Sequence, residues 1–117
     1  MSLEAQLTAA LQAVCPRVYP DQAPAEAQLP YVIYEQVGGP ALVYLEGTLP
    51  PERAALMQIT AWHSTRLGAS QLMLNIEAAL CAAPGFTATP QGALQKAPSD
   101  DPATRGAMQD FEIWASR

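Results

Sequence analysis

The chain has 117 residues, of which 50% are hydrophobic and 15% are charged, a composition typical of a globular domain and not of a disordered segment. Six basic and 11 acidic side chains give a net charge of −5. This balance argues against specific nucleic-acid recognition, because such surfaces need clustered lysine and arginine. No apolar run reaches the roughly eighteen residues that a membrane-spanning helix requires, so no contact with a membrane is predicted.

The first predicted element is a helix over residues 2–14. Ser2 is a suitable N-cap, and Pro16 cannot continue a helical hydrogen-bond ladder. The start lacks a basic segment and carries Glu4, unlike a secretory signal, so we expect the protein to be made in the cytoplasm. The apolar stripe recurs at three- and four-residue spacing and consists of Leu3, Leu7, Ala10, Leu11 and Val14.

A loop rich in proline and alanine over residues 20–30 leads into a predicted strand at 31–37. This strand is apolar on both faces, which is typical of a strand covered on both sides. Its cover is either a segment of the same chain or a neighbouring subunit. A second strand is predicted at 41–47, so that residues 31–50 form a projecting hairpin. One face of the first strand carries Tyr31, Ile33 and Val37, and the other carries Val32 and Tyr34.

The remaining elements follow from changes of hydrophobic period. A strand ends near residue 63, a helix covers 66–83 until Pro84, and a last strand covers 106–116. An irregular pair of strands is predicted over residues 85–97, and a flexible loop is predicted over residues 98–106. The order α-β-β-β-α-β-β predicts a single α+β domain over 1–117, with a mainly antiparallel sheet and both helices packed on one face.

No motif predicts catalysis, a metal or a cofactor. His63 is the only histidine, and Ser64, its neighbour along a strand, should point to the opposite face. The Asp100-Asp101 pair lacks further oxygen ligands, and Gly38-Gly39-Pro40 lacks the lysine of a phosphate loop. Two cysteines, Cys15 and Cys81, are expected to be reduced and mostly buried, although one disulfide is arithmetically possible. We therefore predict that the protein is not an enzyme.

Apolar side chains in unexpected places are the remaining signal. Both tryptophans lie on strand faces that are otherwise polar, and aromatic residues also occur in the predicted hairpin. Either a loop of the same chain covers these side chains, or they form a protein–protein interface, where tryptophan and tyrosine are enriched. The candidate assembly residues are Val32, Tyr34, Tyr44, Leu45, Trp62 and Trp114.

The order of four segments resembles the tail completion, or tail-terminator-like, proteins of long-tailed bacteriophages and prophages. These segments are "MSLEAQLTAAL", "RVYPDQAP…LPYVIYEQV", "ITAWHSTRLGASQLMLNIEAAL" and "MQDFEIWAS". A departure lies in "TRGAMQDF", where Ala107 and Met108 stand in place of an expected aromatic residue. The resemblance covers nearly the whole chain.

The resemblance implies a virion structural protein without a catalytic site or cofactor. Such subunits form a ring, often hexameric, at the head-proximal end of the tail, and they join the tail tube protein to the head–tail connector protein. From the residues alone, the alternative is a cytosolic α+β domain that binds a small ligand or a peptide.

Overall fold

The structure is a computed structural model that describes residues 2–117 and contains two α-helices. Helix α1 covers Leu3–Gln12, and the Ser2 hydroxyl accepts a hydrogen bond from the Ala5 amide at 3.1 Å. Helix α2 covers Arg66–Ala82 and is capped in the same way by Thr65. Both predicted helices are confirmed. The buried residues are Leu3, Leu7 and Leu11 in α1, and Ala69, Leu72, Met73, Ile76 and Leu80 in α2. Neither is long and apolar enough to cross a membrane.

Six strands form one sheet in the spatial order β1-β2-β3-β6-β4, with β5 also paired to β6. Only β1 and β2 are parallel; the other pairs are antiparallel. The predicted α+β class with a mainly antiparallel sheet is confirmed. The strands are β1 Val18–Pro20, β2 Tyr31–Gly38, β3 Glu52–His63, β4 Thr87–Pro90, β5 Gln95–Ala97 and β6 Arg105–Ser116.

The hydrophobic core lies between the two helices and one face of the sheet. In the long strands β3 and β6, alternate side chains enter this core, and Met57, Ile59 and Phe111 are fully buried. Leu7 of α1 and Ile76 of α2 meet them from the helix layer. No helix of the described chain covers the opposite face, which we call the open face of the sheet.

The predicted strand at 41–47 is wrong. Residues 39–51, which we call the arm, form no strand, and Tyr44 and Gly47 take part only in a local turn closed by the Tyr44 amide and the Thr48 carbonyl at 2.8 Å. The segment has strand-forming residues but no neighbouring strand to pair with, and pairing is what stabilises a strand. Strands β4 and β5 pair with β6 and not with each other.

The loop over residues 21–30 is fastened to the sheet by Arg17. Its guanidinium group donates to the carbonyl oxygens of Gln28, Leu29 and Pro30 at 2.9, 3.3 and 3.0 Å. Val32 is the second residue of β2, and its amide donates to the Arg17 carbonyl. Arg17 therefore holds the start of β2 in place with both its side chain and its backbone.

Replacing Arg17 with Met should lower the free energy of unfolding by about 1–3 kcal/mol, because the carbonyl groups lose charged donors while the aliphatic packing is kept. Urea denaturation measures this change. Arg66→Met is the matched control, since Arg66 is exposed, and it should change stability by less than about 0.5 kcal/mol. Equal stability of the two variants would contradict the role given to Arg17.

Candidate assembly surfaces

The arm is the most exposed apolar segment of the described chain. It carries one charged side chain, Glu46, while Leu45 is fully exposed and Tyr44 is 48% exposed. Monomeric proteins rarely leave such contiguous apolar surface in water unless it meets a partner. The large apolar side chains exposed in the arm are Leu42, Val43, Tyr44, Leu45 and Leu49.

The base of the arm has a defined geometry. Gly39 has a φ of +122°, and a Cβ placed there would lie 2.9 Å from the Leu56 amide nitrogen, so a side chain at this position is both strained and blocked. At the other end, the Arg117 amide donates to the Pro51 carbonyl at 2.8 Å and its guanidinium to the Pro50 carbonyl at 3.0 Å. Both ends of the arm are therefore fixed to the sheet.

The open face of the sheet carries a second apolar surface. Tyr31 of β2 lies opposite Trp62 of β3, and Ile33 lies on the same face two residues along. Tyr19 of β1 meets Tyr31 edge to face, with ring centroids 6.0 Å apart. All four side chains are half-buried, so each offers an accessible apolar part to a partner.

Both tryptophans lie on this open face, as the alternation of their strands predicts. The Trp62 ring lies over Gly106, where an added Cβ would be 2.7 Å from its Cζ3 atom. The Trp114 indole N–H donates to the Glu112 carboxylate at 2.9 Å. Both tryptophan side chains are half-buried. They are therefore available for contact, together with Tyr44 and Leu45 of the arm.

The placement of Val32 and Tyr34 on an assembly surface is wrong. Val32 is fully buried and Tyr34 is 7% exposed, because helix α1 packs over this face of β2. The Tyr34 hydroxyl accepts a hydrogen bond from the Thr8 hydroxyl of α1 at 3.0 Å. The chain itself covers these two side chains, and the uncovered face of β2 is the one with Tyr31 and Ile33.

His63 and Ser64 come closer than their sequence positions predict. Strand β3 ends at His63, so Ser64 turns back, and its Oγ lies 3.4 Å from His63 Nδ1. The same nitrogen accepts the Ser64 backbone amide at 2.9 Å. The imidazole also packs against Gly68 of α2. These contacts close the turn that leads from β3 into α2.

The other polar candidates have structural roles. The Asp101 carboxylate accepts bonds from the Ala103 amide at 2.9 Å and the Thr104 hydroxyl at 3.2 Å, which closes its own turn. No group of three or more metal-ligating His, Cys, Asp or Glu side chains occurs within residues 2–117. Both cysteines are free; Cys15 is buried, but Cys81 is exposed, so its predicted burial is wrong.

Sequence reasoning missed part of the open face. It identified the two tryptophans, but not that Tyr19, Tyr31, Ile33 and Met108 lie beside them. Met108 is on the open side of β6, opposite Thr60 of β3. The signal was present, because Tyr31 and Ile33 form one apolar face of β2. Which face the helices cover was not readable from the strand itself.

The sequence model of the family described as "Tail completion protein gp17" matches residues 2–116 of this chain. The match covers both helices and all six strands. No individual curated protein matches the chain at a significant level.

Proposed function

This chain belongs to the tail completion protein family of bacteriophages, and on that premise we propose that it is a ring-forming subunit at the head-proximal end of the tail. The family has a structural role in phage tails and is not a known class of enzyme. In the proposed role, the subunit ends the tail tube and joins it to the head–tail connector. It performs no catalysis and acts only through protein contacts in the virion.

The observation that carries this proposal is the presence of two different apolar surfaces on one subunit. The arm projects Tyr44 and Leu45, and the open face presents Tyr31, Ile33 and Trp62. A closed ring is built from a heterologous contact, in which one patch of a subunit meets a different patch of the next. If the same patch of each subunit met its own copy, the product would instead be an isologous dimer.

We assign the ring contact to the arm of one subunit and the open face of its neighbour. The molecule is elongated, with principal extents of 53 × 26 × 26 Å, and the arm is held at both ends, so its apolar side chains can be presented without collapsing onto their own sheet. Trp62 and Trp114 would be covered from their exposed side. A ring of six subunits is the expected size from the resemblance described above.

Changing Tyr44 and Leu45 together to Ser should abolish self-association and weaken binding to the tail tube protein by at least about tenfold, about 1.4 kcal/mol. Light scattering after size exclusion measures the mass of the isolated chain, and negative-stain electron microscopy detects rings on tube ends when tail tube protein of the same phage is added. Because both side chains are exposed, the thermal melting temperature should be unchanged.

Leu67→Ser is the matched control, since Leu67 is 79% exposed on α2 and lies outside the arm. It should assemble like the unchanged protein. If neither the isolated chain nor its mixture with tube protein forms rings, the proposed function is wrong. If rings form equally well with the arm variant, the arm does not make the contact.

A further inference from the structure

Half of the basic side chains of this acidic protein line one cavity. The cavity has a volume of about 600 Å³ and lies between the start of α2, strand β5 and the start of β6. Of the six lysine and arginine residues, Arg66, Lys96 and Arg105 are at its wall. The chain carries 11 acidic residues, yet none of them lines this cavity. We call it the basic cleft.

The cations of the basic cleft have no acidic side chain among the residues that line it. Arg66 is the first residue of α2, where the helix end carries a positive partial charge, and the first turn of that helix holds no acidic side chain. Arg66, Lys96 and Arg105 are all exposed, so their charged groups can reach a ligand. Like charges gathered at one site repel each other, and an anion bound among them would remove this cost.

The other walls of the basic cleft favour a peptide as the anion. Leu94, which is half-buried, supplies apolar surface next to the cations, and Ser70 and Ser99 supply hydroxyl groups. Strand β5 contributes three consecutive residues, Gln95–Ala97, and pairs with β6 alone within the described chain. An extended peptide can add to such a strand edge through backbone hydrogen bonds while its side chains enter the adjoining pocket.

A nucleic acid fits these walls less well. Duplex binding needs many phosphate contacts spread along a basic surface, whereas here three cations lie in one concave site of a chain with a net charge of −5. The apolar part of the wall would also have no partner along a phosphate backbone. A peptide in which carboxylates alternate with apolar side chains matches both the cationic and the apolar parts of the cleft wall.

We propose that the basic cleft is a docking site for an acidic, extended peptide segment of a partner protein. The carboxylates of the segment pair with Arg66, Lys96 and Arg105, and its apolar side chains lie against Leu94. This site lies apart from the arm, and the proposal does not depend on ring assembly. Its test can therefore succeed or fail independently of the assembly experiment above.

The test uses the full chain and a fluorescent peptide of alternating glutamate and leucine, with binding followed by anisotropy. The peptide should bind, and a matched peptide of glutamine and leucine should bind at least about tenfold more weakly. The Arg66→Glu, Lys96→Glu double variant should also lose at least about tenfold in affinity. Raising the ionic strength from about 0.01 M to about 1 M should weaken binding, because the screening length falls from about 30 Å to about 3 Å.

Arg117→Glu is the control, since it reverses a basic charge outside the cleft, at the base of the arm; it should keep the affinity of the unchanged chain. The melting temperature of each variant shows that it is folded, as expected for exposed positions. Equal affinity of the double variant and the unchanged chain would overturn the proposal. So would tighter binding of a single-stranded oligonucleotide than of the acidic peptide, or equal binding of the glutamine peptide.

Discussion

Val32→Asp is expected to unfold the subunit, whereas Ile33→Asp is expected to leave it folded and prevent assembly. The two residues are adjacent in β2, but Val32 is fully buried under α1 while Ile33 lies on the open face. A carboxylate at position 32 would be buried among apolar side chains without a partner, which costs about 4 kcal/mol or more. That is a large part of the about 5–15 kcal/mol that stabilises a typical domain.

Circular dichroism during urea titration measures the first effect, and light scattering with and without tail tube protein measures the second. Val32→Ala and Ile33→Ala serve as milder versions, so that the comparison remains possible if Val32→Asp cannot be purified. Val32→Ala should lose about 1–3 kcal/mol and Ile33→Ala about 1 kcal/mol or less. The reverse result, in which position 33 is needed for folding and position 32 for assembly, would show that the faces of β2 are assigned the wrong way round.

The helices could be predicted because their signals are local. A cap residue, a stripe with a period of 3.6 and a terminating proline stand within one short segment, and both helices follow from them. The alternation in β3 and β6 was equally clear, since Met57 and Phe111 enter the core while Gln58 and Glu112 do not. In these elements, the pattern of polar residues identifies the face that meets water.

The faces of β2 could not be told apart in the same way. Both faces are apolar, so the alternation does not say which one lies under a helix. The structure decides it through α1, whose Thr8 donates a hydrogen bond to the Tyr34 hydroxyl, a contact between residues 26 positions apart in sequence. The error over Val32 and Tyr34 therefore comes from tertiary packing and not from a misjudged strand.

The strand predicted in the arm was wrong for a different reason. Residues 41–47 have the composition of a strand, but a strand exists only where a second one supplies hydrogen bonds. The apolar side chains that predicted a strand here remain exposed in the isolated subunit.

The basic cleft could not be predicted from the sequence. Arg66, Lys96 and Arg105 belong to three different elements, and only the fold brings them together.

Phe111→Ala should lower the free energy of unfolding by about 3–5 kcal/mol, whereas Trp114→Ala should lower it by about 1 kcal/mol. Both residues are aromatic and belong to β6, but they point to opposite faces. Phe111 is fully buried, so its removal leaves a cavity in the core. Trp114 is half-buried on the open face, and its indole N–H bonds only to the neighbouring Glu112 side chain.

Assembly should show the reverse order for these two variants. At a temperature where both remain folded, Phe111→Ala should still form rings with the tail tube protein, because its change lies inside the subunit. Trp114→Ala should weaken ring formation by at least about tenfold, since an aromatic anchor is lost from the proposed contact. A loss of about 3–5 kcal/mol for Trp114→Ala would place Trp114 in the core, and the open face would then have to meet its partner through Tyr31 and Trp62.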